Sequence, residues 1–231
     1  MHVPDGFLDA PTSIATGAVA VVGVGLALRG ARRELDDRTA PMAGLVATFV
    51  FAAQMVNFPV GAGTSGHLLG GALAAALAGP WTATLCLSVV LMVQALLFAD
   101  GGLTALGTNI VLMGLAGVWI GWAVMVLLRA VLPKKVGLIP GIAAIGALVS
   151  VPAAAMVFTA LYAVGGTADI PLDTLTAAML GWHTVIGLGE AAITGLVVGA
   201  VVAARPDLVH LARPLVAERN LEIRTTAGAT A

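Results

Sequence analysis

Chemistry in this chain rests on few side chains: four histidines (His2, His67, His183 and His210) and one carboxylate, Glu190, deep within an apolar stretch. His2 is the most informative of them. A histidine in second position behind a free α-amine builds a metal chelate almost by itself. The amine and the His2 amide nitrogen close a five-membered ring, and the amide nitrogen and imidazole Nδ1 close a six-membered one. Met1 and His2 then supply three coplanar nitrogens, and one coplanar position stays open. A bulky second residue disfavours removal of the initiator, so Met1 is expected to remain and provide the amine. A second imidazole can fill the open position, and His67 is the other histidine that the charge pattern puts on the same side of the chain. Four nitrogens in a plane suit Ni(II) or Cu(II) and accept Co(II), whereas zinc prefers a tetrahedron. Metal ligation displaces protons from such donors, so binding should weaken as pH falls.

His67 closes a loop rich in glycine, Phe58-Pro59-Val60-Gly61-Ala62-Gly63-Thr64-Ser65-Gly66-His67. Such backbone turns tightly and approaches a ligand closely. Around it stand further polar residues near the ends of apolar runs: Gln54, Asn57, Ser65, Gln94 and Asn109. These can orient ligands from behind or tie helices together. His183 and Glu190 lie seven residues apart, close to one helix face. An ionisable residue within an apolar span is a functional candidate, or a structural carboxyl held by hydrogen bonds. His210 falls in a polar C-terminal stretch, where a solvated histidine is the ordinary expectation.

The elements that position these residues follow from composition. Of 231 residues, 59% are hydrophobic and only 10% charged. Soluble domains carry about 45–50% apolar and about 25% charged residues. The chain therefore reads as a polytopic membrane protein, all-α because the apolar runs are long and show no alternation. Seven runs stand out, at 12–29, 41–58, 66–79, 82–99, 104–132, 137–164 and 174–204; the third is short and ends at Gly79-Pro80. Lys and Arg fall in three clusters: Arg29, Arg32, Arg33 and Arg38; Arg129, Lys134 and Lys135; and Arg205, Arg213, Arg219 and Arg224. The positive-inside rule places all three in the cytoplasm. Four crossings must then separate the first two clusters, which retains the short third run as a span. The expected architecture is a bundle of seven transmembrane helices with the N-terminus outside and the C-terminus cytoplasmic. Residues 1–204 form a transmembrane metal-binding domain and 205–231 a polar cytoplasmic tail, partly disordered or bound to a partner. The outer segments hold Asp5, Asp9, Asp100, Asp169 and Asp173 and no Lys or Arg, a face suited to a cation. Small residues recur four apart at Ala43/Ala47, Gly66/Gly70, Ala74/Ala78, Gly117/Gly121 and Gly195/Gly199, allowing close helix contact.

Other chemistries are excluded. The single cysteine, Cys86, allows no disulfide within the chain. A net charge of -1 without a free basic patch argues against nucleic-acid binding. Neither Lys134 nor Lys135 is followed by Ser or Thr, so there is no Walker A motif and no ATPase of the chain's own. No HExxH or GxSxG signature points to an enzyme.

Four stretches together resemble one family. They are Met1-His2-Val3-Pro4-Asp5-Gly6-Phe7-Leu8, Ala62 through Gly70 (AGTSGHLLG), Gln94 through Asn109 (QALLFADGGLTALGTN) and His183 through Gly195 (HTVIGLGEAAITG). The resemblance is to the CbiM/NikM family, the substrate-binding membrane subunits of energy-coupling-factor ABC transporters for cobalt and nickel, and it runs to about residue 204. It implies a seven-helix bundle with the N-terminus inserted toward the substrate. It implies metal ligation by Met1, His2 and His67, supported by Asn57, Ser65, Gln94, Asn109, His183 and Glu190. The substrate would be Co(II) or Ni(II), with no organic cofactor. The implied partners are a transmembrane coupling subunit, cytoplasmic ATPases and a small accessory membrane subunit, in the plasma membrane of a prokaryote. The competing reading is a stand-alone divalent-metal channel or secondary transporter that uses His183 and Glu190 as a relay.

Overall fold

Apolar sequence and sparse charge give a helical bundle in the computed structural model, which describes residues 1–37, 39–61 and 64–218. Arg38, Ala62, Gly63 and the chain from 219 onward, with Arg219 and Arg224, lie outside the described residues. Helix α1 spans Ala10–Glu34 and is started by Asp9, whose side chain accepts from the Thr12 N–H. Helix α2 spans Ala40–Gln54. Strands β1 (Phe58–Gly61) and β2 (Thr64–Gly66) form a small antiparallel hairpin, with Phe58 opposite Gly66. Then come α3 (Gly71–Ala78), α4 (Pro80–Leu97), α5 (Leu106–Val131), α6 (Ile139–Gly165) and α7 (Leu172–Ala204). Helix α5 is interrupted by a π-helical stretch over Ile110–Gly117, a distortion often found near functional sites.

Five of these, α1, α4, α5, α6 and α7, are long and apolar enough to cross a membrane. Their exposed positions are apolar as well, among them Val21, Leu97, Val131 and Leu196, as expected of surfaces that face lipid. This is a mostly helical, multi-pass membrane protein. Helix α2 is apolar but has 15 residues.

The run at 66–79, expected as a spanning helix, takes another form. Only Gly71–Ala78 is helical, about 12 Å of rise against about 30 Å of hydrocarbon. Residues 67–70 precede it as non-helical backbone. The helix is a core element: all eight of its residues are buried. Small residues make that possible. A Cβ on Gly71 would lie 3.0 Å from the Val118 nitrogen, and one on Gly121 would lie 2.9 Å from the Ala72 Cβ. The Gly117/Gly121 pair thus serves contact within the chain. The break at Gly79-Pro80 is real, with Gly79 at φ +97°.

Backbone in an apolar interior needs hydrogen-bond partners, and α3 finds them at both ends. At its start, Glu190 of α7 accepts from the N–H groups of Leu69 (2.7 Å) and Gly70 (2.9 Å). Just past its end, Glu34 of α1 accepts from the N–H groups of Trp81 and Thr82 and from the Thr82 hydroxyl, capping α4. Among the described residues, Glu190 is one of two buried carboxylates that serve backbone, Glu34 at the end of α1 being the other. The last carbonyls of α3 are served too. The N–H groups of His210 and Leu211 donate to Leu77 and Ala76.

That last contact revises the expected tail. The stretch after Arg205 folds back onto the bundle, and Val209, Leu211 and Ala212 are fully buried in its core. Arg129 donates to the Leu211 carbonyl and Arg213 to that of Glu34. His210 is half-buried, not the fully solvated residue expected, and burial pushes its imidazole pKa down to about 4.

Gly70 combines a left-handed φ of +75° with a would-be Cβ 2.7 Å from Val50. Gly70→Ala is expected to cost about 1–3 kcal/mol, read as a lower midpoint of thermal unfolding in detergent. An unchanged midpoint would show that this turn relaxes freely.

Candidate metal site

Residues 1–9 precede α1 and thread into one end of the bundle. Val3 is fully buried, Met1 is 2% exposed and His2 9%. Three elements hold this segment. Asn109 of α5 clamps Val3 at both backbone groups: its Oδ1 accepts from Val3 N–H (2.8 Å) and its Nδ2 donates to Val3 C=O (3.1 Å). The loop after α4 adds Gly102 N–H to the same carbonyl, and Thr104 N–H to the Asp5 carboxylate. The loop after α6 pairs Leu8 with Gly166, while Phe7 stacks on Phe158 and packs at a tilt against Tyr162.

This threading brings the Met1 amine, His2 and His67 together. The His2 and His67 rings stack with centroids 4.4 Å apart. The Met1 amine is wholly buried, and burial lowers its pKa from 8.0 to about 4, with Asp100 opposing. The amine is therefore neutral at pH 7 and keeps the lone pair that a metal needs. His2 Nε2 lies 3.1 Å from Gln94 Oε1. With its proton there, donated to Gln94, Nδ1 carries the lone pair that the six-membered chelate requires. Nδ1 itself stands 3.1 Å from Asp100 Oδ1 without hydrogen-bond alignment. A lone pair facing a carboxylate is a place for a proton or another cation. The Asp100 carboxyl lies below its ordinary range, against burial, because a proton on His2 Nδ1 would bond to it and an Asn57 hydrogen bond favours the anion.

His67 is fully buried. Its Nδ1 lies 2.8 Å from the Leu68 carbonyl, so the proton sits on Nδ1 and Nε2 is left with a free lone pair and no partner. Hydrogen bonding of one ring nitrogen to a carbonyl is the usual way a ligand histidine is oriented. The Leu69 peptide behind it is gripped on both sides, by Glu190 at its N–H and by Gln54 Nε2 at its carbonyl (2.7 Å). Glu190 thus bonds to the backbone that carries His67.

The other expected residues divide. Gln94 touches His2, Asn109 holds Val3, and Glu190 secures the His67 segment. Asn57 is exposed and reaches the site through Asp100. Ser65 sits in β2 opposite Pro59 and is half-buried. His183 is buried with Nδ1 on the Met179 carbonyl (2.8 Å). Sequence reasoning gave Asp100 no place at the site. Its signal was the Asp100-Gly101-Gly102 turn: Gly101 takes φ +90°, and a Cβ there would lie 3.4 Å from the His2 ring. Among the described residues, no three His, Cys, Asp or Glu side chains form a metal-holding group.

The profile described as the cobalt uptake substrate-specific transmembrane region matches residues 2–208. The chain belongs to the CbiM family. A Haloquadratum walsbyi protein named for metal transport is 39% identical over 90% of this chain and 93% of its own length. The fused nickel transport protein NikMN of Rhodobacter capsulatus is 33% identical over 99% of this chain and 70% of its own. The crystal structure of a truncated transition metal transporter superposes with a TM-score of 0.80, at 32% identity, over 88% of this chain and 99% of that one. This CbiM-family chain is thus a membrane component of cobalt or nickel transport type. Its relatives are named as transport proteins, not as enzymes.

Two substitutions test the supports. Asn109→Ala releases both ends of the Val3 clamp and is expected to lower Co(II) and Ni(II) affinity about 10–100-fold, as loss of a ligand-orienting group does. Helical circular dichroism should not change, and undiminished affinity would show that the clamp is dispensable. Glu190→Gln turns an amide donor toward the N–H of Leu69 or Gly70. It should lower the unfolding midpoint of the metal-free protein, and an unchanged midpoint would overturn the capping role.

Proposed function

We propose that this chain is the substrate-capturing membrane subunit of an energy-coupling-factor ABC importer for Co(II) or Ni(II). The observation that supports it best is the burial of the N-terminus beside His2 and His67. A neutral amine, an amide and two imidazoles then stand within one small volume. In this reading the metal takes the Met1 amine, the His2 amide and Nδ1, and His67 Nε2. Gln94 sets the His2 tautomer, Asn109 seats the N-terminal segment, and Glu190 seats the His67 segment. Asp100 draws the cation in and yields Nδ1 to it. The plane of four nitrogens suits Ni(II) and accepts Co(II).

The protein is proposed to cross the plasma membrane of a prokaryote seven times, counting α2 and the α3 segment with the five long helices. Its N-terminus is outside and its C-terminus in the cytoplasm. The three clusters of Lys and Arg then share the cytoplasmic side. With no Walker A motif, energy must come from separate cytoplasmic ATPases, relayed by a transmembrane coupling subunit and joined by a small accessory membrane subunit. Residues 1–204 carry the metal site, and the remainder forms the cytoplasmic end. The stand-alone transporter reading needs Glu190 as a free relay group. Both of its oxygens are engaged by backbone N–H groups, which favours the capture reading.

The test is metal titration of purified protein against two variants. His67→Ala removes one donor, and a single alanine inserted before Met1 moves the amine out of its chelate ring. Each is expected to lower affinity by orders of magnitude in a folded protein. Retained affinity in both would refute the site. The pH dependence has a defined sign. The Met1 amine has its folded pKa depressed to about 4 from 8.0. A withdrawn amine takes up a proton below pH 8, so the seated state loses stability as pH falls from 8 toward 4. Between pH 8 and 5 the seated amine is already neutral, so the proton released on binding is that of the His2 amide, and metal affinity should drop about tenfold per pH unit. A flat profile would exclude the amide as a ligand.

A further inference from the structure

His183 has no task in the scheme above, and its surroundings call for one. It lies in α7, fully buried, within a helix that carries one other ionisable residue at its centre, Glu190. Its Nδ1 is satisfied by the Met179 carbonyl at 2.8 Å. Its Nε2 is buried and has no hydrogen-bond partner. An orphaned nitrogen in an apolar interior is costly, and a leucine would fill the same space without that cost.

Its neighbours place His183 beside the proposed site. Met1, Met179, Ile186 and Leu69 belong to one buried cluster. One turn beyond His183, Ile186 meets Gly66, where a Cβ would lie 2.8 Å from its Cδ1. Gly66 is the neighbour of His67. His183 therefore stands on the α7 wall at the level of the proposed site. Like His67, it holds its Nδ1 against a carbonyl and leaves Nε2 free, the arrangement of a ligand histidine.

A planar set from Met1, His2 and His67 leaves the two faces of the metal open. We propose that His183 Nε2 is a further donor to the transported cation, binding out of the plane and making the site five-coordinate. This rests on the capture site proposed above. The consequence is selectivity. Low-spin Ni(II) in a strong nitrogen plane gains little from an axial ligand. Co(II), with one electron fewer, binds a fifth nitrogen readily. His183 thus biases the site toward Co(II) by geometry, not by raw affinity.

The experiment uses the full chain in detergent, loaded with Co(II) or Ni(II). Wild type, His183→Leu, His183→Gln and His67→Ala are compared by X-ray absorption at the metal edge and by competitive titration. Leucine matches the volume, and glutamine keeps a polar group should leucine fail to fold. The expected result is five nitrogen donors to Co(II) in wild type and four in the His183 variants. Their Co(II) affinity should fall about 10–100-fold, the scale set by losing an orienting or ligating group, and Ni(II) affinity much less. His67→Ala should lose both metals. Unchanged Co(II) coordination and an unchanged Co/Ni ratio in folded His183 variants, with His67→Ala defective, would overturn the role of His183 and leave the capture site standing. Full binding by His67→Ala would instead overturn the capture site, and the out-of-plane donor with it.

Discussion

A broken helix inside an apolar bundle leaves backbone groups that water cannot serve, and much of this structure answers that demand. Each unmet group costs several kcal/mol in a hydrocarbon setting. The chain places two carboxylates, one amide and a returning C-terminal segment around α3 to meet it. Glu190 takes the N–H groups of Leu69 and Gly70, Gln54 serves the Leu69 carbonyl, and His210 and Leu211 serve the carbonyls at the far end. In return the chain gains an extended stretch within the bundle, where His67 can stand beside another backbone strand. A continuous helix would have kept the main chain around His67 away from the N-terminal segment.

The same logic governs the N-terminus. Burying an amine is expensive while it is charged, so burial drives it neutral. For structure alone that is a loss. For a metal donor it is a gain, because a neutral amine needs no further proton release before it binds. The clamp on Val3 from Asn109 and Gly102 offsets the cost of threading the segment inward. Under the proposed ligation, stability and metal binding would oppose each other at Met1, with the neighbouring backbone bonds holding the balance.

Much of this was legible in the residues. His2 and His67 stood out because a second-position histidine has few uses as specific as chelation, and the five long helices follow from apolar runs of spanning length. Asn109 and Gln94 were legible as supports but not in their targets, since nothing local ties Asn109 to the Val3 backbone 106 residues away. The shortness of α3 was hidden. Its run is as apolar as a span, and only the left-handed turns at Gly70 and Gly79 break it. The fold-back after Arg205 was hidden as well. Val209, Leu211 and Ala212 are interleaved with charged residues, and their burial depends on the open carbonyls of α3, which composition does not reveal.

The two ends of α3 carry an unequal load. At one end the partners are a carboxylate and an amide from rigid helices, α7 and α2. At the other they include the segment after Arg205, joined to α1 and α5 by single arginine-to-carbonyl bonds. Local openings draw on the part of a structure with the fewest strong fastenings. The end of α3 remote from His67 is therefore the one that moves at lower cost, while the His67 end keeps its register. In the capture reading proposed above, that asymmetry would keep the His67 end fixed, and it arises from the way one short helix is anchored.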